Sequence, residues 1–205
     1  MSLPAAFIER VESLLRRPRR VVLGLAGPPG AGKSTVGQWL LESFRGRAQL
    51  LPMDGFHLAQ AELERLGRAQ RKGAPDTFDS EGYVALLGRV RAQCAGEVIY
   101  APEFRREIEE PIAGAIGLRY ETPLVITEGN YLLVDDGPWA RVRALLDEAW
   151  YIDVDDALRR RRLVARHMRF GRTKEEAEAW VESTDEPNAR LIARGRSRAD
   201  AVLAV

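Results

Sequence analysis

At 205 residues, 45% hydrophobic and 30% charged, the chain has the composition of a globular domain with a substantial core, which excludes a disordered or fibrous protein. Its 31 basic and 30 acidic residues nearly cancel, so no overall field gathers nucleic acid or anionic lipid, and any basic function is local. A single cysteine excludes an internal disulfide, and no segment has the apolar length of a membrane span.

The opening residues, MSLPAAFIERVESLLRRPRR, lack an uninterrupted apolar stretch after their basic residues, so a cytoplasmic protein is expected. Ile8, Val11, Leu14 and Leu15 recur at helical spacing after Pro4 and predict an amphipathic first helix. Residues 20–26 (RVVLGLA) suit a buried parallel strand, residues 27–32 a glycine-rich turn, and KSTVGQWLLESF from Lys33 a helix. Residues 48–53 (AQLLPM) are a second candidate strand, which stops at the Asp54-Gly55 turn signal. A short helix over 58–66 and an exposed loop over 67–78 (GRAQRKGAPDTF) follow. Asp79 or Ser80 can cap a helix carrying Tyr83, Leu86, Leu87 and Val90, with Gly96 ending it. Cys94 is expected to be an inert, buried thiol.

Residues 98–101 and 117–120 are expected to pair as a small hairpin-like insertion around the aperiodic charged stretch EFRREIEEPIAGA. Residues 123–127 (PLVIT) form the next buried strand, followed at once by Glu128-Gly129-Asn130. A helix over 139–148, a strand over 149–154 (AWYIDV), a basic helix over 157–170, a helix over 174–183 and a last apolar strand over 199–205 complete the chain. Strands alternating with helices predict an α/β fold, a parallel sheet with helices on both faces.

Gly27, Pro28, Pro29, Gly30, Ala31, Gly32, Lys33 and Ser34 fit G-x-x-x-x-G-K-[ST] in full, with Thr35 following. The motif lies between a strand and a helix, as a phosphate-binding P-loop requires. Its glycines let backbone N–H groups turn inward around phosphate oxygens, and the helix beginning at Lys33 adds the positive end of its dipole. Lys33 is expected to neutralise β- and γ-phosphates and Ser34 to ligate Mg2+. The same loop serves ATPases, GTPases and small-molecule kinases, and the absence of N-K-x-D favours ATP.

In an open parallel sheet, ligands bind beyond the carboxyl ends of the strands. Asp54 and Glu128, each just after a predicted strand, should therefore face the cradled phosphate. Asp54 is suited to accept the proton of an attacking hydroxyl, and Glu128 to hold the water shell of Mg2+ or a substrate hydroxyl. Each also reads as a solvated turn or a helix cap.

GPPGAGKST, MDGFH, RKGAPDTFD, PEF, ITEGNYLL and DEPNARLI together resemble the uridine kinase and pantothenate kinase group over most of the chain. Within it the likeness is nearest to bacterial proteins labelled nucleoside or fructose-transport-system kinases. The resemblance implies a P-loop kinase fold over residues 1–205, with an acceptor-side insertion near 55–120 and an arginine-rich helical lid near 156–172. It implies that Asp54 is the catalytic base and that Glu128 faces substrate or metal. It further suggests that His57, Arg71, Lys72, Tyr100, Glu103, Phe104 and Arg105 surround the acceptor under the 67–78 loop. Arg105 reads equally as a surface partner of Glu107 or Glu109, and His57 as a structural hydrogen-bonding group.

Arg159, Arg160, Arg161, Arg162, Arg166 and Arg169 crowd one predicted helix, a self-repelling arrangement unless anions or acidic residues face it. The resemblance makes this helix the lid, with Arg162 and Arg166 sharing a face and closing on the ATP phosphates. A nucleic-acid contact helix and a solvated basic face compete with that reading; near-neutral net charge disfavours the first. Arg198 and the residues after Asp185 resemble the adenine side, although plain helix termination by Pro187 explains the latter as well.

The expected activity is transfer of the γ-phosphate of ATP, with Mg2+, to a hydroxyl of a small metabolite such as a nucleoside, a sugar or a pantothenate-like molecule. The alternatives are an ATPase or nucleotide-dependent switch without such an acceptor, and a P-loop protein that only binds ATP. A homodimer would match the commonest form of assembly, and neither nucleic acid nor membrane is an expected partner.

Overall fold

In the computed structural model, which describes residues 3–205, five parallel strands run β2 (Ala48–Pro52), β5 (Leu124–Gly129), β1 (Val21–Ala26), β6 (Glu148–Asp153) and β7 (Ala201–Ala204) across one sheet. Every pair in this sheet is parallel. The central strands β1 and β5 are buried at every position, which is why their sequences are continuous apolar runs rather than alternations.

Alternate residues feed two cores. Leu23, Leu25, Leu124, Ile126 and Ile152 pack with Val11 and Leu14 of α1 (Ala5–Leu14) and with Val36 and Leu40 of α2 (Lys33–Ser43). Val22, Val125, Leu51 and Ala149 pack with Tyr83, Leu87 and Val90 of α4 (Ser80–Ala92) and with Ile192 of α7 (Glu186–Ala193). Helices therefore cover both faces, as the strand pattern predicts. Among the described residues no helix is long and apolar enough to cross a membrane.

The register sets the functional edge. Ala26 pairs with Gly129 on one side and Tyr151 on the other, and Pro52 pairs with Glu128. The carboxyl ends of β1, β2 and β5 thus finish level, and the turns leaving them emerge together. Beyond β2, a tight turn at Met53–Phe56 leads to the short helix α3 (Gln60–Arg65).

Four local expectations need correction. Residues 139–148 form two short 3-10 turns, Gly137–Arg141 and Arg143–Leu145, instead of an α-helix, and Leu146 is extended ahead of β6. Cys94 is exposed beyond the end of α4. Pro187 does not terminate a helix; it sits in the first turn of α7, directly after the wide turn Val181–Asp185. The hairpin is longer than expected, β3 (Val98–Arg105) against β4 (Glu110–Arg119), with a register shift between Ala101 and Glu103. Before the shift Ile99 and Ala101 point inward; after it Phe104 and Arg106 do, so the charged stretch has no single period.

Asp147 joins the start of β1 to the start of β6. Its side chain is 1% exposed and takes Arg19 at 2.5 Å and Arg91 at 3.3 Å, while its Oδ2 accepts the Val22 N–H at 2.9 Å. Asp147→Ala leaves that buried donor unpaired and should cost about 1–3 kcal/mol, read as a lower urea midpoint with an unchanged m-value.

Candidate active site

The loop between β1 and α2 is shaped by close contact. Gly30 has φ +80°, and a Cβ there would lie 2.9 Å from Leu163 Cγ and 3.0 Å from the Arg159 carbonyl, both on α5 (Asp156–Arg169). Only glycine lets the basic helix press on the loop at this point. Gly32, also left-handed, precedes α2, so the first-turn N–H groups of Lys33, Ser34 and Thr35 point out of the helix end.

Lys33 is 8% exposed, yet all three ammonium protons are placed: the Gly27 carbonyl accepts at 2.9 Å, the Pro28 carbonyl at 3.1 Å and Asn130 Oδ1 at 2.7 Å. Burial pulls its pKa down to about 8, against the pull of Glu128 and Asp54. Ser34 Oγ donates to Glu128 Oε1 at 3.1 Å. Glu128 ends a buried strand, and burial first, then repulsion from Asp54, push its pKa up despite Lys33.

Asp54 lies in the turn after β2. Gly55 beside it is required because a Cβ would fall 2.2 Å from the Pro102 carbonyl of β3, so the hairpin lies directly against this turn. Arg106, at the hairpin tip, donates to Asp54 Oδ2 at 3.0 Å. His57 Nδ1 sits 2.7 Å from the Asp54 carbonyl, which assigns the proton to Nδ1 and leaves Nε2 as an acceptor. Burial foremost lowers the His57 pKa, favouring the neutral ring.

These groups line one cleft of about 770 Å³. Pro29, Gly30, Gly32, Lys33, Ser34, Thr35, Asp54, His57, Lys72, Phe104, Glu128, Arg162 and Arg166 all border it. Gly27 and Pro28 contribute from behind, through the carbonyls that hold Lys33, and Ala31 is buried in the core. Burial lowers the Arg166 pKa, and Arg106 adds like-charge repulsion.

Five expected residues lie elsewhere. Arg71 pairs with Asp76 in the 67–78 loop. Tyr100, before the register shift, is on the outer face and 62% exposed. Arg105 points out beside Glu103, at 3.7 Å, taking Glu103 away from the cleft as well. Arg198 donates to the Leu133 carbonyl at 3.1 Å and pairs with Asp135 at 3.1 Å, outside the cleft. Sequence reasoning missed Arg106 and Asn130. The first depends on the register shift of the hairpin, where one residue of β3 faces three of β4, and the second has no signal beyond its place directly after the Glu128-Gly129 strand end.

Comparison with known proteins bears on the family and the fold. A family model described as Phosphoribulokinase / Uridine kinase family matches residues 22–205. A putative uridine kinase of Schizosaccharomyces pombe is 33% identical over 205 residues, covering 95% of this chain and 87% of its own. A pantothenate kinase of Enterococcus faecalis is 30% identical over 143 residues, covering 67% of this chain and 46% of its own. The crystal structure of a putative fructose transport system kinase from Silicibacter sp. TM1040 superposes with TM-score 0.88 at 35% identity, covering 98% of this chain and all of that one.

The depressed pKa of Lys33 has a signed consequence. Its burial cost is fully present below about pH 8 and fades as pH rises from about 8 to 10.5, where only the unfolded chain holds the proton. The unfolding free energy of the ligand-free protein, relative to Lys33→Met, should therefore rise across that window. A flat difference in parallel urea titrations would place the amine in a solvated setting.

Proposed function

Because the chain belongs to the phosphoribulokinase/uridine kinase family and is an ATP-dependent small-molecule kinase, we propose that Asp54 is the base that activates a hydroxyl of its acceptor. The observation that carries this reading is the convergence of Asp54 and Glu128 on the loop lysine. In an in-line transfer the acceptor oxygen bonds to the γ-phosphorus while Asp54 takes the hydroxyl proton. The bond from γ-phosphorus to its bridging oxygen breaks, and the electron pair leaves with ADP. The protein supplies position and charge.

Lys33 and the amides at the start of α2 receive the phosphates on this reading, and Arg162 and Arg166 approach from α5. Ser34 Oγ and Glu128 Oε1, 3.1 Å apart, fit Mg2+, which takes only one or two protein oxygens beside phosphate and water. When bound, the ion would neutralise charge on the β- and γ-phosphates. The raised pKa of Glu128 supports this fit, since a buried carboxylate between Lys33 and Asp54 is short of positive charge.

The reading includes α5 as a lid and a cytoplasmic location without a nucleic-acid partner. Arg159 and Arg160 are paired to Asp156, Glu182 and Glu186, and Arg162 and Arg166 border the cleft, which leaves Arg161 and Arg169 as the exposed arginines of α5 without an ion pair among the described residues.

ADP release by purified protein with ATP and magnesium, against pools of nucleosides, sugars, sugar phosphates and vitamin precursors, tests the assignment. Lys33→Ala should abolish acceptor-dependent turnover. Asp54→Asn should lower it by about 10²–10⁴-fold while ATP affinity, measured by calorimetry, stays nearly intact; loss of ATP affinity in this variant would count against Asp54 as the base.

A further inference from the structure

The acceptor side of the cleft is walled by a stack of three rings. The His57 ring centroid lies 4.0 Å from Phe78 and 4.5 Å from Phe104. Two cations flank the outer ring, with Lys72 Nζ 5.5 Å and the Arg106 guanidinium carbon 5.9 Å from the Phe104 centroid. Cations beside an aromatic face gain modestly from it and retain most of their capacity for an anion.

Neither cation has a partner suited to its place in a working site. Lys72 donates to the Glu109 carbonyl at 2.6 Å and Gln60 Oε1 at 3.4 Å, and it pairs with no carboxylate among the described residues. Arg106 has one carboxylate partner, Asp54. That contact occupies an oxygen on the residue assigned to take the hydroxyl proton. The neighbouring carboxylates do not relieve this: Asp185 is held by His167 at 2.8 Å, and Glu107 and Glu109 are exposed at the hairpin turn. Across the cleft, Arg166 is a further cation within repelling range of Arg106. A neutral acceptor would leave Lys72 unpaired and Arg106 on the base. An acceptor with its own negative charge removes both difficulties.

We propose that the phosphate acceptor is an anion, a hydroxyl compound carrying a carboxylate or a phosphate that Lys72 and Arg106 receive beside Phe104, and that drawing Arg106 onto this group uncovers the Asp54 oxygen. This rests on the kinase reading and narrows its substrate class. The hydroxyl proton then passes to Asp54, the acceptor oxygen bonds to the γ-phosphorus, and ADP leaves with the electrons of the broken bond. With no acceptor bound, Arg106 keeps Asp54 engaged and water is not activated in its place.

The test compares ADP release by wild type, Lys72→Gln and Arg106→Gln with neutral polyols and nucleosides, hydroxy acids, and sugar phosphates. A charged pool should be preferred over the neutral one by at least tenfold, and which charged pool responds separates carboxylate from phosphate. Each variant should raise KM for that acceptor about tenfold with KM for ATP little changed, and Arg106→Gln should raise acceptor-free ATP hydrolysis. Full turnover of a neutral acceptor, unaltered in both variants, overturns the inference and leaves the kinase reading standing. If no pool is turned over, binding decides: inorganic phosphate or glycolate is titrated with the loop filled by a non-hydrolysable ATP analogue. Weaker binding in both variants supports the anion site, and equal binding overturns it.

Discussion

An ammonium group taken out of water is tolerated only where acceptors and opposing charge are built around it, and Lys33 sets what the surrounding chain must supply. Two of its acceptors are carbonyls of the phosphate loop and the third is Asn130, just past β5. One amine therefore ties the shape of the loop to the end of another strand. The tie works only because Ala26 and Gly129 are in register, which brings both strand ends to the same level. A slip of one residue would turn Glu128 to the opposite face and take Asn130 out of reach.

The charge around this amine is unevenly met, and the two deficits have opposite sign. At the loop, burial and then repulsion from Asp54 raise the cost of ionising Glu128 despite Lys33 and Ser34, so positive charge is wanting beside Glu128. On the hairpin side, among the described residues, Lys72 pairs with no carboxylate and Arg106 with Asp54 alone, the proposed base. Phosphoryl transfer brings together a polyanion, its counter-ion and an acceptor, and on the proposed reading the two deficits answer to different members of that set. The Phe78–His57–Phe104 stack borders the hairpin side, and both cations lie beside its outer ring, Phe104.

The features written locally in the chain were legible. The P-loop, its flanking strand and helix, and the carboxylates at 54 and 128 follow from short motifs and apolar runs, because a parallel strand buried on both faces cannot disguise its composition. What escaped depended on through-space events. The parity of the hairpin changes at an irregularity between Ala101 and Glu103, so counting inward positions from Ile99 and Ala101 selects Arg105, while the backbone delivers Arg106. The segment 139–148 has helical composition, but Leu146 and Asp147 are claimed by β1, through the Asp147 bonds to Val22, before a helix can close. Cys94 illustrates the weakness of residue-type averages: it lies beyond the last apolar turn of α4, where nothing covers it.

The basic helix α5 is often the part of such a fold invoked for motion, and its packing limits where motion can begin. Near its start, Arg159 is fully buried and donates to Asp156 at 3.0 Å and to Glu186 of α7 at 2.5 Å, while Leu163 and the Arg159 backbone bear on Gly30. Breaking that pair would strand a buried charge that already has one nitrogen, Nη1, without a partner, so the root is the costly place to hinge. Past Leu163 the ties are fewer, chiefly His167 to Asp185, and Asp185 belongs to a wide, irregular turn at Val181–Asp185 ahead of α7. On the lid reading, then, Arg162 lies within the anchored portion and keeps its distance from the loop, whereas Arg166, one turn further on, travels with the free end. Two arginines on one face of one helix are thereby separated into a fixed and a moving charge.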